Sequence, residues 1–422
     1  MKKIRLFSLI TLVFAMAILL SNCKGKNNAP VYEFTLSADP GWFVKQFANN
    51  HHDSLINNAV YLTDSLVGLS EKNYFDVFLE VWDANYADYA LIDRIRCYYS
   101  GWDTSYCNST VTERMKAEFN SALDTTVRKL ELRLKNAGAE QLTVEKSAQW
   151  GCIHVKTDSV MPVPRFEIIL TSVGSVEFYE TYSIGQIATS LFEANRILGE
   201  MPEYKKPKTS TLPQNSSNQN YIVEEGANST EPEEDVVEIN NPLFDVLVSF
   251  TSQFDENGNL INPTYCQIGY CAKADSATLV HYLQLDVISR LFPGSLVFAW
   301  MNSGRDDMYE IIALNTDRGL PAMTGENIVS AKMVQNSGNH EVQIEFNSEG
   351  ANNWASLTRH NIDKSLAMVI DGNLVTYPRV MSEISGGKAS ISGNFSIEEA
   401  SDMSLILGSG ALPLKLRVVK NE

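Results

Sequence analysis

One stretch near the middle of the chain constrains the fold more than any other feature, because it has few apolar residues with which to build a core. Residues 202–238 are dominated by Pro, Ser, Asn, Gln and Glu, and residues 224–238 hold seven acids and no base. A segment of this kind cannot bury enough apolar surface to order itself. The sequence therefore predicts a disordered acidic and polar linker at 202–240, with an acidic binding arm as the alternative, and folded parts on either side.

The remaining chain is long enough and apolar enough for two folded units. The whole chain has 422 residues, of which 44% are hydrophobic. The formal net charge is −17, and the first 22 residues carry three bases and no acid, so the rest holds 31 bases against 51 acids, or −20. Binding of nucleic acid needs clustered Lys and Arg to neutralise phosphates. The composition therefore predicts no nucleic-acid partner.

The N-terminus has the pattern of a secretion signal. Three basic residues within the first five precede an apolar run at 6–20, which is short for a membrane span and typical of a signal peptide. The run ends at Leu20-Ser21-Asn22-Cys23, which resembles a bacterial lipobox. We therefore predict a lipoprotein signal peptide at 1–22 and a lipid on Cys23, and two acyl chains would hold the protein stably on a membrane. The alternatives are an ordinary secretory signal or an uncleaved anchor.

Export would permit disulfides among the remaining cysteines. Their number is odd, so at least one thiol should be free. Cys97 with Cys107 and Cys266 with Cys271 are candidate local pairs, and buried thiols are the alternative. The six histidines are scattered, and motifs for hydrolases, zinc proteases and phosphate-binding loops are absent from the sequence. The sequence therefore predicts no catalytic residues, no metal site and no cofactor.

The first half of the chain has the order of a ferredoxin-like α+β unit. Residues 24–73 are interpreted as a tether with one or two short helices. A capping box at Thr110 and Glu113 and a C-terminal Gly138 delimit the clearest helix. The predicted elements are a strand at 75–82, a helix at 113–137, strands at 142–146 and 152–156, a helix at 164–170 and a strand at 176–182.

The second half predicts another α+β unit. Asp371-Gly372 is a hairpin signal, and Ser396 with acids in the next turn is a helix start. The predicted helices are 275–292, 348–361 and 396–407. The predicted strands are 295–300, 309–314, 342–346, 366–370, 374–380 and 412–419.

A series of short motifs in the last third resembles one known family. They occur in the order Thr324-Gly325, Phe346 with Gly350, Asp371-Gly372, Gly386-Gly387 followed by Ser392-Gly393, and Gly410-Ala411-Leu412-Pro413. This pattern resembles the first periplasmic domain of SecD, an accessory protein of the Sec translocon. The stretch from Arg133 to Ala139 and the strand at 176–182 look like the base subdomain of fused SecD-SecF proteins of Bacteroidetes, so that the resemblance covers about residues 75–419.

The resemblance implies two ferredoxin-like subdomains. The implied organisation is a tether with short helices at 23–73, a base subdomain at 74–201, the linker at 202–240, a head subdomain at 241–410 and a strand at 411–422 that returns to the base. In the family, transmembrane helices flank this domain and couple export to the proton gradient. Here the first helix is replaced by the lipoprotein signal, which predicts a free-standing, lipid-tethered form.

The expected function follows from the resemblance. We expect a non-enzymatic protein of the cell envelope, lipid-anchored to a membrane and facing the periplasm. Its expected partners are unfolded or emerging polypeptide and subunits of the Sec translocon, bound through apolar surface and sheet edges of the head. The alternative is a structural or regulatory lipoprotein that reuses the fold to hold another envelope protein. An enzyme or small-ligand binder is the third reading.

Overall fold

The computed structural model describes residues 31–49, 53–95, 102–158, 161–204, 240–248, 250, 255, 257–304, 307–317, 319–336 and 338–419. These residues form helices and antiparallel sheets, which confirms the predicted α+β class. They pack into two units, each with hydrophobic cores of its own. We call 31–171 with 413–419 the first unit, 176–408 the second unit, and the two connections between them, 172–175 and 409–412, the neck.

The first unit is built on one four-stranded antiparallel sheet. Its strands are β1 (Val31–Ala38), β2 (Leu142–Lys146), β3 (Cys152–Asp158) and β14 (Leu416–Val418), in the order β14-β1-β3-β2. Helix α4 (Asn108–Asn136) precedes β2, and helix α5 (Val163–Thr171) follows β3. The order strand, helix, strand, strand, helix, strand is ferredoxin-like, and the C-terminal segment supplies the last strand.

The strand predicted at 75–82 is wrong, because this segment is the helix α3 (Tyr74–Asn85). Asn73 caps it, accepting hydrogen bonds from the main-chain N–H groups of Phe75 at 3.0 Å and Asp76 at 3.2 Å. The alternation that suggested a strand coexists with a helical repeat of large side chains. The residues that this repeat buries are Tyr74, Phe75, Val77, Phe78, Val81 and Trp82.

The segment at 31–67 contains the first strand of the sheet as well as two helices. In β1, Tyr32, Phe34 and Leu36 alternate with polar residues, and the strand pairs with β3 from Val31–Asp158 to Ser37–Cys152. Helices α1 (Pro40–Phe47) and α2 (Ser54–Val67) follow, each capped by an aspartate. One or two short helices were predicted here and two are present, but a polar tether was the wrong interpretation for β1.

Helix α4 ends where the sequence predicts, and one of its faces carries a buried apolar stripe. Met115, Phe119, Leu130 and Leu134 are buried, and Gly138 follows the helix with a φ of 90°. The beginning differs from the prediction. The helix starts at Asn108 with Cys107 at the N-cap position, so the pair of Thr110 and Glu113 lies inside the helix and forms no capping box.

The second unit contains a seven-stranded sheet that is buried on both faces. Five strands have the order β12-β11-β4-β7-β5, while β6 pairs with β7 and β8 pairs with β4. Their bounds are β4 (Val176–Thr181), β5 (Gln267–Ala272), β6 (Leu296–Asn302), β7 (Met308–Asn315), β8 (Met323–Thr324), β11 (Leu366–Ile370) and β12 (Asn373–Thr376). The strand predicted at 176–182 is thus present, but it pairs within this sheet rather than in the sheet of the first unit.

Helices that the sequence did not predict cover one face of this sheet. They are α6 (Ile184–Glu200) and α7 (Pro242–Val246), and they share a core with α8 (Ser276–Gln284) and α9 (Asp286–Ser289). The helix predicted at 275–292 is therefore divided, and it breaks at Leu285. The predicted linker at 202–240 lies outside the described residues, apart from a short turn at Pro202–Tyr204 and Asn240.

A second, three-stranded sheet completes this unit. Its strands are β9 (Ile328–Asn336), β10 (Asn339–Phe346) and β13 (Lys388–Phe395), in the order β13-β10-β9. Helices α10 (Ser348–His360) and α11 (Ile397–Gly408) begin at Asn347 and Ser396 caps, and Ser396 forms a capping box with Glu399. The predicted hairpin is confirmed, because Asp371 and Gly372 both have positive φ between β11 and β12.

Candidate functional site

A fully buried arginine lies where the chain passes between the two units. Arg133 lies near the C-terminal end of α4, on its buried face, and no surface of its side chain is exposed. Its guanidinium donates hydrogen bonds to oxygen atoms on both connections of the neck and at the end of α5. The acceptors are Ser409 Oγ at 2.7 Å, Ile169 O at 3.0 Å, Ser172 O at 2.5 Å, Val173 O at 2.9 Å and Gly410 O at 3.4 Å.

The Arg133 charge is balanced by carbonyl dipoles rather than by an ion pair. Within the described residues no carboxylate lies within salt-bridge distance of it, although Asp371 contributes attraction from farther away. Burial lowers the pKa of Arg133 to about 10, so the group remains protonated at neutral pH. Hydrogen bonds to a charged group are the stronger kind, and a buried acceptor left without a donor is costly. Arg133 therefore holds both connections of the neck in one arrangement.

The hairpin between β11 and β12 also holds the neck. The Asp371 carboxylate accepts hydrogen bonds from Gly174 N at 3.1 Å and Ser175 N at 2.8 Å, and Asp371 N donates to Ser175 O at 3.0 Å. Gly174 has a φ of 79°, and a Cβ there would lie 2.8 Å from Ile406 Cγ2. Only glycine fits this backbone conformation and this close approach without strain.

Two further contacts connect helix α11 and the chain that follows it to the first unit. The Arg165 guanidinium donates from Nε to both carboxylate oxygens of Asp402, at 2.7 and 2.8 Å, and this hydrogen bonding raises the pKa of Arg165. Lys129 Nζ donates to Ala411 O at 2.5 Å. The two connections of the neck are also hydrogen-bonded to one another, because Leu412 N donates to Val173 O at 2.7 Å. The junction is thus a polar network built from residues distant in sequence.

Sequence reasoning did not single out Arg133, although a signal was present. Arg133 falls three residues after Leu130 and seven after Thr126, and both of these are buried on α4. A charged residue in phase with an apolar stripe must find partners inside the protein. The helical periodicity could therefore have identified it as a buried polar contact.

The cysteines show buried thiols rather than the predicted local pair. Cys266 and Cys271 are both free and buried, and they belong to different cores on opposite faces of the seven-stranded sheet. Desolvation raises the pKa of both thiols. Cys107 is free and exposed, and hydrogen bonds from Ser109 and Thr110 lower its pKa to about 7. Cys23 and Cys97 lie outside the described residues.

A polar groove of about 450 Å³ lies beside α10 in the second unit. Glu180 and His360 are among its lining residues. The Glu180 carboxylate already accepts from Asn361 Nδ2 at 2.8 Å, and His360 Nδ1 lies 2.8 Å from Ser356 O. Within the described residues no three His, Cys, Asp or Glu side chains form a group that could hold a metal ion. The arrangement therefore offers polar contacts to a partner rather than a free acid–base pair.

The helices of the described ranges bear on whether the chain could cross a membrane. None of them is both long enough and apolar enough to cross a bilayer. The apolar run at 6–20, which the sequence analysis interprets as a signal peptide, lies outside these ranges.

Comparison with known proteins defines the class of the C-terminal part. Residues 303–414 match the family model described as SecDF, P1 head subdomain. This region includes the three-stranded sheet, helices α10 and α11, and the β11–β12 hairpin. The resemblance to the SecD periplasmic domain, predicted from the motifs between Thr324 and Pro413, is confirmed.

The individual relatives with similar sequences are named as SecD or SecDF subunits of the protein translocase. The chain is 38% identical over 117 residues to the protein translocase subunit SecDF of Thermus thermophilus, covering 28% of this chain and 16% of the relative. It is 45% identical over 84 residues to SecD of Leptotrichia buccalis, covering 20% of this chain and 21% of the relative. It is 35% identical over 146 residues to SecD of Rhodothermus marinus, covering 32% and 24%. The chain thus spans a quarter or less of each of these relatives.

A solved structure of a membrane component SecDF that enhances protein export is also similar. The similarity covers 72% of this chain and 93% of that chain, with 20% identity and a TM-score of 0.35.

Proposed function

We propose that this protein is a non-enzymatic accessory factor of protein export. It would bind either polypeptide during or after translocation or a subunit of the Sec translocon. The observation that carries the proposal is the match of residues 303–414 to the SecDF P1 head subdomain. The names of the relatives describe subunits of the protein translocase. In this chain the matching region supplies most of one hydrophobic core, to which Val176 and Phe178 of β4 also belong, and its surface includes exposed apolar side chains such as Met381.

The test is photo-crosslinking in cells from an exposed position in the second unit. Met381 is 76% exposed, and Leu69 in the first unit, which is 86% exposed, is a matched control. We expect a photoreactive residue at 381 to capture many exported precursors or Sec subunits, and the same residue at 69 to capture fewer. Capture of a single unrelated envelope protein from position 381 would replace the proposal with the scaffold alternative.

We further propose that the chain is held on the periplasmic side of a membrane by a lipid on Cys23. The basic start, the short apolar run and the following cysteine support this. A Cys23→Ser variant is expected to lose incorporation of labelled palmitate and to leave the membrane fraction. A Cys107→Ser variant, which changes an exposed cysteine of the first unit, is expected to keep both. Unchanged labelling of Cys23→Ser would reject lipidation at this residue.

A further inference from the structure

The three-stranded sheet of the second unit ends in a long open edge. Strand β9 pairs with β10 from Ile328 to Asn336, and in the part of the chain that the structure describes no strand pairs with its other side. Nine residues extend for about 30 Å. In an antiparallel pair, the N–H and C=O groups of alternate residues point away from the neighbouring strand. The outer side of β9 therefore presents a row of main-chain donors and acceptors to a further strand.

Apolar side chains accompany this edge. Val329, at a bulge in the β9–β10 pairing, is 59% exposed, and Met333 is 39% exposed although it lies opposite the buried Val342. Helix α11 packs closely on β9, where a Cβ on Gly408 would lie 3.4 Å from Ala331 O. A strand added to β9 would thus contact apolar side chains as well as the open main chain.

The helix beside the edge is held in place by the first unit. Asp402 of α11 is bound by Arg165, and Ser409 directly after the helix is bound by Arg133. These contacts hold α11 against the first unit, and the packing of α11 on β9 holds it relative to the edge strand, before any partner arrives. Preorganisation of this kind lowers the entropy that binding must overcome.

Charge narrows the class of partner. The neighbouring strand β10 carries Glu341 and Glu345 on the face opposite α11, and Glu326 lies two residues before the start of β9. Lys332 on β9 and Lys388 on the far strand are the basic residues of this face. The whole chain has a formal net charge of −17. The acids near this edge outnumber the bases by only three to two, so it is the net charge of the whole chain that favours an incoming segment with basic residues over an acidic one.

We infer that β9 is a strand-addition site that binds an extended, apolar polypeptide segment carrying lysine or arginine. The segment would lie against β9 from about Val329 to Gln335 and continue the three-stranded sheet as a fourth strand, with main-chain bonds giving affinity and alternate side chains giving selectivity. This inference rests on the proposed function and names the site and the chemistry of the bound segment.

The first experiment measures protection of main-chain amides in the full-length protein. The probe is a ten-residue synthetic peptide of alternating valine and threonine with two lysines, and a second peptide replaces the lysines with glutamates. The lysine peptide is expected to slow hydrogen exchange at alternate residues of β9 at least tenfold. It should leave β2, an edge strand of the first unit, unchanged. Protection of both strands alike, or equal effects of both peptides, would overturn the inference.

The second experiment places proline in the edge. Adjacent residues of β9 point their N–H groups to opposite sides, so one of Met333→Pro and Val334→Pro removes an outward N–H and should keep the fold. That variant is expected to bind the lysine peptide at least tenfold more weakly by fluorescence anisotropy. Thr143→Pro and Val144→Pro provide the matched pair in β2, and the folded member should bind normally.

The outcomes separate this inference from the proposed function. A reduced, carboxymethylated unfolded protein serves as a general probe. One outcome is that the parent protein binds this probe, and that the folded β9 proline variant binds both the probe and the lysine peptide as tightly as the parent does. In that case β9 is not the site, although the proposed function stands. If the parent protein binds neither the unfolded probe nor the lysine peptide, and crosslinking finds no precursor or Sec subunit, the proposed function fails as well.

Discussion

The two units differ in how far along the chain their parts come from. The sheet of the first unit joins β1 at residues 31–38 to β14 at residues 416–418, so its pairing spans nearly the whole chain. The three-stranded sheet of the second unit is formed within residues 328–395. Long-range pairing must close a large loop, which costs entropy and slows folding. The first unit therefore depends on contacts at the neck and on the last strand, whereas the three-stranded sheet of the second unit is formed by strands close together in the sequence.

The largest expected effect is at Arg133, whose loss would separate the two units in stability. Arg133→Met leaves several buried carbonyl groups without donors, and each buried acceptor left unsatisfied costs about 1 to 3 kcal/mol. We expect urea denaturation to show loss of the first unit at a lower concentration than that of the second. Lys135→Ala, on the exposed side of the same helix, is expected to change the free energy of unfolding by less than about 0.5 kcal/mol. A single transition in Arg133→Met, coincident for both units, would contradict the comparison.

The next effect is at the last strand. Leu416 is buried in the first unit, and Leu416→Ala is expected to lower the free energy of unfolding by about 2 to 5 kcal/mol. Amide exchange should accelerate in β1 and β3 but not in β10. The neighbouring Lys415 is exposed, and Lys415→Ala should leave both units unchanged. Faster exchange in β10 would show that the second unit also needs the last strand.

A smaller effect distinguishes two buried tryptophans. Trp82 Nε1 in the first unit donates to Tyr89 O at 3.0 Å, whereas Trp354 Nε1 in the second unit has no hydrogen-bond partner among the described residues. Trp82→Phe loses volume and leaves an acceptor without its donor, so we expect a loss of about 2 kcal/mol. Trp354→Phe removes an unpaired N–H, and we expect a loss of less than about 1 kcal/mol. Thermal denaturation of the two variants tests the difference, and an equal loss would contradict it.

The smallest expected effect is a pH dependence in the second unit. Burial raises the pKa of the Glu177 carboxyl, with a smaller contribution from Asp371, while a hydrogen bond from Tyr179 at 3.1 Å opposes the shift. A carboxyl with a raised pKa in the folded state stabilises the fold below its unfolded pKa, and this contribution is lost as pH rises through the folded value. Glu177→Gln should therefore flatten the fall in stability above about pH 4.5. Glu345→Gln, at an exposed position, should not, and equal pH profiles of parent and Glu177→Gln would reject the assignment.

Local signals predicted the local structure well. The turn at Asp371-Gly372 and the capping residue Ser396 each act within a few residues, and the structure has the elements they predicted. The motifs around them also identified the family resemblance of residues 303–414. Most of this information lies in residues 328–408, where the three-stranded sheet and its two helices are built from segments close together in the sequence.

The failures have a common physical cause. The segment at 75–82 fits both a strand and a helix repeat, and packing of Phe75, Phe78 and Trp82 against the rest of the first unit selects the helix. One of the two strands that pair with β1, and two of the acceptors around Arg133, come from the other end of the chain. A short sequence pattern does not show which distant segments will pair. The sheet order and the contacts of the neck therefore could not be derived from the sequence alone.

The neck has a mechanical consequence. A force that draws the second unit away from the first acts on both connections, and these are bonded to one another and to the same guanidinium. The load would be shared among parallel hydrogen bonds instead of breaking them one at a time. The neck should therefore resist a weak force with little extension and then open abruptly at a higher force. Removal of the Arg133 guanidinium should make this opening gradual.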